Sequence, residues 1–230
     1  MQWVQKILDF DTELFLYLNS FHNDFWDTMM LMATRKETWI PLYFIIVYYF
    51  IRNYRAKSIL ILIFLALTIL ASDQISVLIK ETVQRLRPVY NPEIENLVHN
   101  VLRKGGRYGF VSSHAANTFA IYVFTSRIFK NRSYGILMFA WALLLSYSRI
   151  YSGVHYPVDI LAGALLGWFI GWGLYKTVLI TDIHFFGTRP PQIEKTSLEK
   201  KQSGIIYLVF TVLTTTTLIV VSILHYYNYL

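Results

Sequence analysis

A chain of 230 residues that is 55% hydrophobic, 17% aromatic and only 15% charged is too apolar for a soluble domain, where about 25% of residues carry charge. It contains no cysteine, which excludes disulfides and thiolate metal sites. The formal net charge of +7 does not call for nucleic acid, because membrane proteins gather Lys and Arg in loops on one side. The class that remains is an all-α integral membrane protein, read as a single membrane domain over 1–230 with no nucleic-acid partner. Nothing in the composition speaks to an oligomer.

In chain order, the segment 1–36 comes first. Phe10, Leu14, Leu18, Phe21 and Phe25 recur at helical spacing, with Asp9, Asp11, Glu13, Asn19 and Asp24 on other faces. That pattern predicts an amphipathic helix lying in the interface rather than spanning it. Acidic residues interrupt any apolar core, so the segment does not read as a cleavable signal peptide. A first span is predicted at 39–51, short for a bilayer that needs ~20 residues. Further spans are predicted at 58–79, 114–129, 133–147, 157–179 and 204–227, giving a six-span helical bundle with an amphipathic N-terminal helix. The tight loops at Arg52–Lys57 and Lys130–Arg132 are basic, and a polar connection runs from Lys80 to Ser113.

Between the fourth and fifth spans lies Ser148-Arg149-Ile150-Tyr151-Ser152-Gly153-Val154-His155-Tyr156-Pro157-Val158-Asp159. Arginine offers a fork of donors suited to phosphate oxygens, and histidine can act as nucleophile or proton carrier near neutral pH. Asp159 follows His155 by four residues, so one helical turn sets the carboxylate beside the ring. If the second span ends at Lys80, the third starts on the same side at His114, and the fourth returns there at Arg149. Three separated polar groups therefore meet at one membrane face. Eleven of the 21 Lys and Arg residues sit in connectors away from it. By the positive-inside rule those loops are cytoplasmic and the convergent face is periplasmic or extracellular, although the connection from Lys80 to Arg107 is itself basic.

Three motifs carry a resemblance: Lys80-x6-Arg87-Pro88, Val111-Ser112-Ser113-His114, and Ser148-Arg149-x5-His155-x3-Asp159. In that order they resemble the signature of the type 2 phosphatidic acid phosphatase family, over a core of about 80–171. In the middle motif Val111 stands where the family has proline, and Ser113 where it has glycine. The resemblance implies that His155 attacks phosphorus and forms a phosphohistidine, with Asp159 holding the ring and supporting its charge. It implies that His114 protonates the leaving oxygen and then activates water. Lys80, Arg87 and Arg149 would hold the phosphate oxygens, with further donors from Ser112 and Ser113. No cofactor and no metal are expected: three cations do that work, and the chain has no ligand cluster at suitable spacing.

Other residues receive plainer readings. Arg85 reads as a surface charge, and Asp73 as a structural partner on the Lys80 face of the second span. Tyr147, Tyr151 and Tyr156 read as interface-belt aromatics. His22, His99, His184 and His225 are given no role. Gly163, Gly167 and Gly171 repeat every four residues and read as a helix-packing stripe that holds the nucleophile's helix.

The expected activity is hydrolysis of a lipid phosphate, with water as co-substrate and the acyl or prenyl chains left in the bilayer. For a bacterial inner (cytoplasmic) membrane protein with an outward-facing site, two substrates suit: undecaprenyl pyrophosphate and lipid A phosphate. Phosphatidylglycerol phosphate and phosphatidic acid are the alternatives. A non-catalytic lipid-phosphate binder or transporter would need neither the His–Asp pair nor the second histidine.

Overall fold

The computed structural model describes residues 2–102 and 104–227. Met1, in the predicted N-terminal segment, and Arg103, one of the bases of the polar connection, lie outside the described residues. The described residues form eight α-helices and no strand: α1 (Gln2–Asn19), α2 (Asp24–Thr34), α3 (Ile40–Tyr54), α4 (Lys57–Val83), α5 (Ser113–Phe129), α6 (Arg132–Tyr151), α7 (Pro157–Phe186) and α8 (Lys200–Tyr226). Four of them, α4, α6, α7 and α8, are long and apolar enough to cross a membrane. The chain is an integral membrane protein. At 15 and 17 residues, α3 and α5 fall short of the ~20 residues a bilayer core requires.

The N-terminal segment departs from the single helix expected of it. The side chain of Asn23 accepts from the Trp26 amide at 2.9 Å and starts a new helix, as a short polar acceptor does at an N-cap. The chain therefore breaks between Asn19 and Asp24. On α1 the buried residues are Asp11, Phe15 and Asn19, one stripe at four-residue spacing. Its exposed side includes Trp3, Ile7, Phe10 and Tyr17.

The central contact is between α5 and α7, and the glycine stripe makes it. A Cβ built on Gly163 would stand 2.5 Å from the Ser112 carbonyl oxygen, one on Gly167 2.1 Å from that of Ala116, and one on Gly171 2.6 Å from that of Ala120. No side chain fits there, so two backbones lie against each other along two turns. The main core fills the middle of the bundle around Trp39, Phe50, Phe129 and Trp141. A smaller apolar cluster of Phe15, Ile94, Ala115, Ile150, Tyr156 and Ile160 lies at the end where α5 and α7 begin.

Candidate active site

The three motifs reach one end of the bundle through local geometry that the sequence specifies. After Lys80, α4 stops at Gln84, whose left-handed backbone (φ 54) ends the helix with its amide on the Lys80 carbonyl at 2.9 Å. The chain then pairs with its own return. Leu86 bridges to Tyr108, the Arg87 amide donates to the Arg107 carbonyl at 3.1 Å, and the Gly109 amide donates to that of Arg85 at 2.8 Å. Ser112 caps α5 by accepting from the Ala115 amide at 3.4 Å, and its own amide donates to the Asp159 carbonyl at 3.0 Å. That last bond ties the start of α5 to the first turn of α7.

Pro157 opens α7, where its fixed φ suits the first turn. Asp159, two residues on, is fully buried and takes three donors through its two oxygens. Oδ2 accepts from the Tyr156 amide at 3.1 Å and faces His155 Nδ1 at 3.4 Å, while Oδ1 accepts from Arg85 Nη1 at 2.9 Å. His155 is 2% exposed. Burial pushes its imidazole down to about 4, and the hydrogen bond and charge of Asp159 oppose that only in part. The ring is therefore neutral at pH 7, with Nδ1 turned to the carboxylate and Nε2 left free.

Three cations surround the pair. Lys80 Nζ donates to Ser113 Oγ, which shares a second hydrogen bond with Ser76 Oγ at 2.6 Å. Arg87 Nε donates to the Tyr108 carbonyl at 3.2 Å; burial lowers its pKa and the Asp159 charge works the other way. Arg149 donates from Nη1 to Thr34 Oγ1 at 2.8 Å, and among the described residues its buried Nε has no partner. Among the described residues, none of the three makes a salt bridge. His114, the second residue of α5, is exposed and feels the charges of Arg149, Arg87 and Lys80. Its ring lines a cavity of about 440 Å³ that continues past Asn117, Thr118, Leu65, Tyr43 and Trp141 into the apolar middle of the bundle.

Every predicted site residue thus lies at this end: His155, His114, Asp159, Lys80, Arg87, Arg149, and Ser112 and Ser113 at the α5 start. Ser112 is fully buried and its hydroxyl oxygen accepts at the cap, and Ser113 Oγ accepts from Lys80. Asp73 makes no salt bridge to Lys80 and reaches it through its charge alone.

Two expectations are corrected. Arg85 is not a surface charge: it bridges Asp159 and, from Nη2 at 2.7 Å, Asp11 of α1. Tyr151 and Tyr156 are not belt aromatics, being 1% and 2% exposed. Tyr151 donates to Asp27 Oδ1 at 2.6 Å, and the Tyr156 hydroxyl accepts from Asn91 at 3.1 Å. His99, given no role, sits with Nε2 at 2.9 Å from both Asp27 oxygens, its ring stacked 3.6 Å from that of His22. It braces the polar connection against α2. Asp11, Thr34 and Gly109 carried no motif, although the stripe of Asp11, Phe15 and Asn19 was open to reading as a buried helix face. A Cβ on Gly109 would meet Asp159 Oδ2 at 3.0 Å and Arg87 Cγ at 3.1 Å, so the close approach of those groups depends on glycine.

A buried, carboxylate-backed imidazole beside cations that lack counter-ions can bind a compact polyanion and attack it. No three His, Asp or Glu side chains among the described residues come together as a metal site. The family model of the PAP2 superfamily matches residues 61–181, which hold all three motifs. The chain is 41% identical over 177 residues to the lipid A 4'-phosphatase of Bacteroides thetaiotaomicron, covering 75% of this chain and 78% of that one. It is 31% identical over 191 residues to the lipid A 4'-phosphatase of Porphyromonas gingivalis, covering 82% and 81%. Its fold resembles the crystal structure of a transmembrane PAP2-type phosphatidylglycerolphosphate phosphatase from Bacillus subtilis, with a TM-score of 0.58 and 22% identity over 80% of this chain and 90% of that one.

Proposed function

The chain belongs to the PAP2 superfamily, and from that premise we propose that it removes the 4'-phosphate of lipid A through a phosphohistidine. It is a membrane lipid phosphatase acting on an envelope lipid phosphate. The observation that carries the reading is the set of three cations that, among the described residues, have no carboxylate partner around His155 and Asp159. A phosphate group supplies the missing negative charge, and positioning with electrostatic stabilisation is most of what phosphoryl transfer needs. The cavity that starts at His114 and runs between apolar walls supports a lipid-borne phosphate over a free one. The two lipid A 4'-phosphatases aligned over most of the chain support lipid A over the other envelope lipids.

In the first step His155 Nε2 attacks phosphorus while Lys80, Arg87 and Arg149 hold its oxygens. The P–O bond to the lipid breaks, and His114 gives its proton to the leaving oxygen. In the second step His114 takes a proton from water, which attacks phosphorus and breaks the P–N bond. Phosphate leaves and His155 is restored. Asp159 fixes the ring through Nδ1 and offsets the positive charge that grows on it. No step calls on a metal.

We further read α3 and α5 as completing six spans, since α5 starts at the site and need not reach the lipid surface there. On this reading α1 lies in the interface with Trp3, Ile7 and Phe10 toward lipid. The site faces outward from a bacterial inner membrane, with the basic loops of Arg52–Lys57 and Lys130–Arg132 inside.

Phosphate release by the purified protein in detergent tests this, with lipid A, undecaprenyl pyrophosphate, phosphatidylglycerol phosphate and phosphatidic acid as parallel substrates. Lipid A is expected to be fastest, with His155→Ala and His114→Ala inactive and EDTA without effect. Equal release by wild type and His155→Ala would sink the mechanism, and a faster second lipid would replace the substrate. Since the chain has no cysteine, one introduced at Glu95 and labelled in intact cells reports sidedness. Labelling only after the inner membrane is opened would reverse the orientation.

A further inference from the structure

Arg85 has both arms of its guanidinium occupied by carboxylates that are almost fully buried, Asp159 Oδ1 at 2.9 Å and Asp11 Oδ2 at 2.7 Å. The planar fork matches two such partners at once. Its position is fixed from several sides. The guanidinium lies 4.1 Å from the centre of the Tyr156 ring, and its backbone carbonyl accepts from Gly109. With both arms taken it is not available to hold a phosphate.

Asp11 is the less expected member. It comes from α1, 74 residues before Arg85, and the family match begins only at residue 61. Its second oxygen accepts from the Val158 amide at 2.9 Å, one of the free donors at the start of α7. The rest of the buried stripe lands on the same motif. The Phe15 ring meets that of Tyr156 edge-on at 5.3 Å, and the Asn19 amide donates to the carbonyls of Ile150 and Tyr151 at 3.2 and 2.8 Å. A helix whose three buried residues all bind the stretch around the nucleophile holds that stretch in place.

The charge count explains why two carboxylates are needed. Asp159 with Arg85 alone would be a neutral pair, with little pull left for an imidazole becoming positive. A second carboxylate on the same arginine leaves the group of three with one net negative charge, which a phosphorylated, cationic His155 would neutralise. We propose that Asp11 and Arg85 are positioning residues that hold Asp159 charged and aligned on His155, making the N-terminal helix part of the catalytic apparatus. The inference rests on the reading of His155 as nucleophile.

The test uses the full-length protein in detergent with the lipid phosphate that wild type hydrolyses fastest. Asp11→Asn keeps the shape and the Val158 acceptor but loses the charge. It should lower kcat about ten- to a hundredfold, the loss expected for one charge-assisted hydrogen bond, with KM within about twofold. Arg85→Gln leaves two buried carboxylates facing each other, so one takes up a proton. Its acid limb in kcat/KM should move up by about one pH unit or more, a change that a role in folding alone would not produce. Arg85→Lys keeps the charge and loses the fork, so it should restore the pH limb but only part of kcat. If Asp11→Asn does not fold, Arg85→Lys carries the comparison alone. Asp9→Asn, on the exposed side of α1, should match wild type.

Wild-type kcat and an unmoved pH limb in Asp11→Asn and Arg85→Gln, with His155→Ala inactive, would overturn the positioning role and leave the nucleophile standing. An active His155→Ala would overturn the nucleophile and this inference with it.

Discussion

The helix α4 carries a buried or half-buried lysine at each end, and the two have opposite surroundings. Lys57, at its start, pairs with Asp182 at 2.8 Å, donates to the Arg189 carbonyl at 2.8 Å and lies 5.3 Å from the centre of the Phe186 ring. Lys80, in its last turn, meets among the described residues only the hydroxyl of Ser113 and no carboxylate. A paired buried cation is part of the scaffold; a cation left with neutral partners is available to an anion. The end of the bundle around Lys57 holds α4, α7 and the connection to α8 together, and the end around Lys80 keeps positive charge in reserve.

Substitutions at the two ends should separate activity from stability, and the largest difference is in turnover. His155→Ala should lose about 10³-fold or more in phosphate release, as removal of a nucleophile does; an activity within tenfold of wild type would erase the distinction between the ends. Lys80→Ala should lower kcat about 10²- to 10³-fold through lost stabilisation of the transferring phosphate. The paired replacement Lys57→Met with Asp182→Leu should leave turnover nearly untouched. A loss of similar size in both would show that the Lys57 end also serves the chemistry.

Stability should run the other way. Asp182→Ala strands a buried ammonium and should cost about 3–5 kcal/mol, read as a lower unfolding midpoint in detergent. Lys80→Ala removes a cation that has no counter-ion and should cost much less. Between the two ends, Gly167→Ala forces a Cβ toward the Ala116 carbonyl and should cost about 1–3 kcal/mol, with some loss of turnover as α5 and α7 shift.

The smallest effect expected is on pH. In the proposed mechanism the neutral imidazole of His155 is the reacting form, and burial pushes that group down to about 4. Turnover limited by this group should therefore change little between pH 7 and 5.5, where a histidine at the ordinary value of about 6.5 would lose about tenfold. An acid limb centred near 6.5 in kcat/KM would show that burial does not control the ring.

Much of the candidate site was legible because its residues lie close together in sequence. His155 and Asp159 are one helical turn apart, Arg149 ends the preceding helix, and Lys80 with Arg87 flank a helix stop at Gln84. The glycine stripe was readable for the same reason, since a four-residue repeat places small residues on one face whatever the partner helix is. Arg85 was misread because its role depends on Asp11 and Asp159, each 74 residues away. From the sequence alone it is one base among several in a polar loop.

The sequence by itself determined the membrane class, most of the helices and the approach of three motifs to one end of the bundle. Those follow from composition, hydrophobic run length and residue spacing, which are properties of neighbouring residues. Only the tertiary structure decided which buried charges are paired. Lys57 and Lys80 share a helix and a chemistry, and neither helical period nor propensity tells them apart. Asp182 reaches Lys57 because α7 runs beyond the predicted end at Leu179 to Phe186. Among the described residues no carboxylate reaches Lys80, because the nearby Asp159 is held by Arg85 and His155. The distribution of counter-ions is settled by long-range packing, and it separates the scaffold from the site.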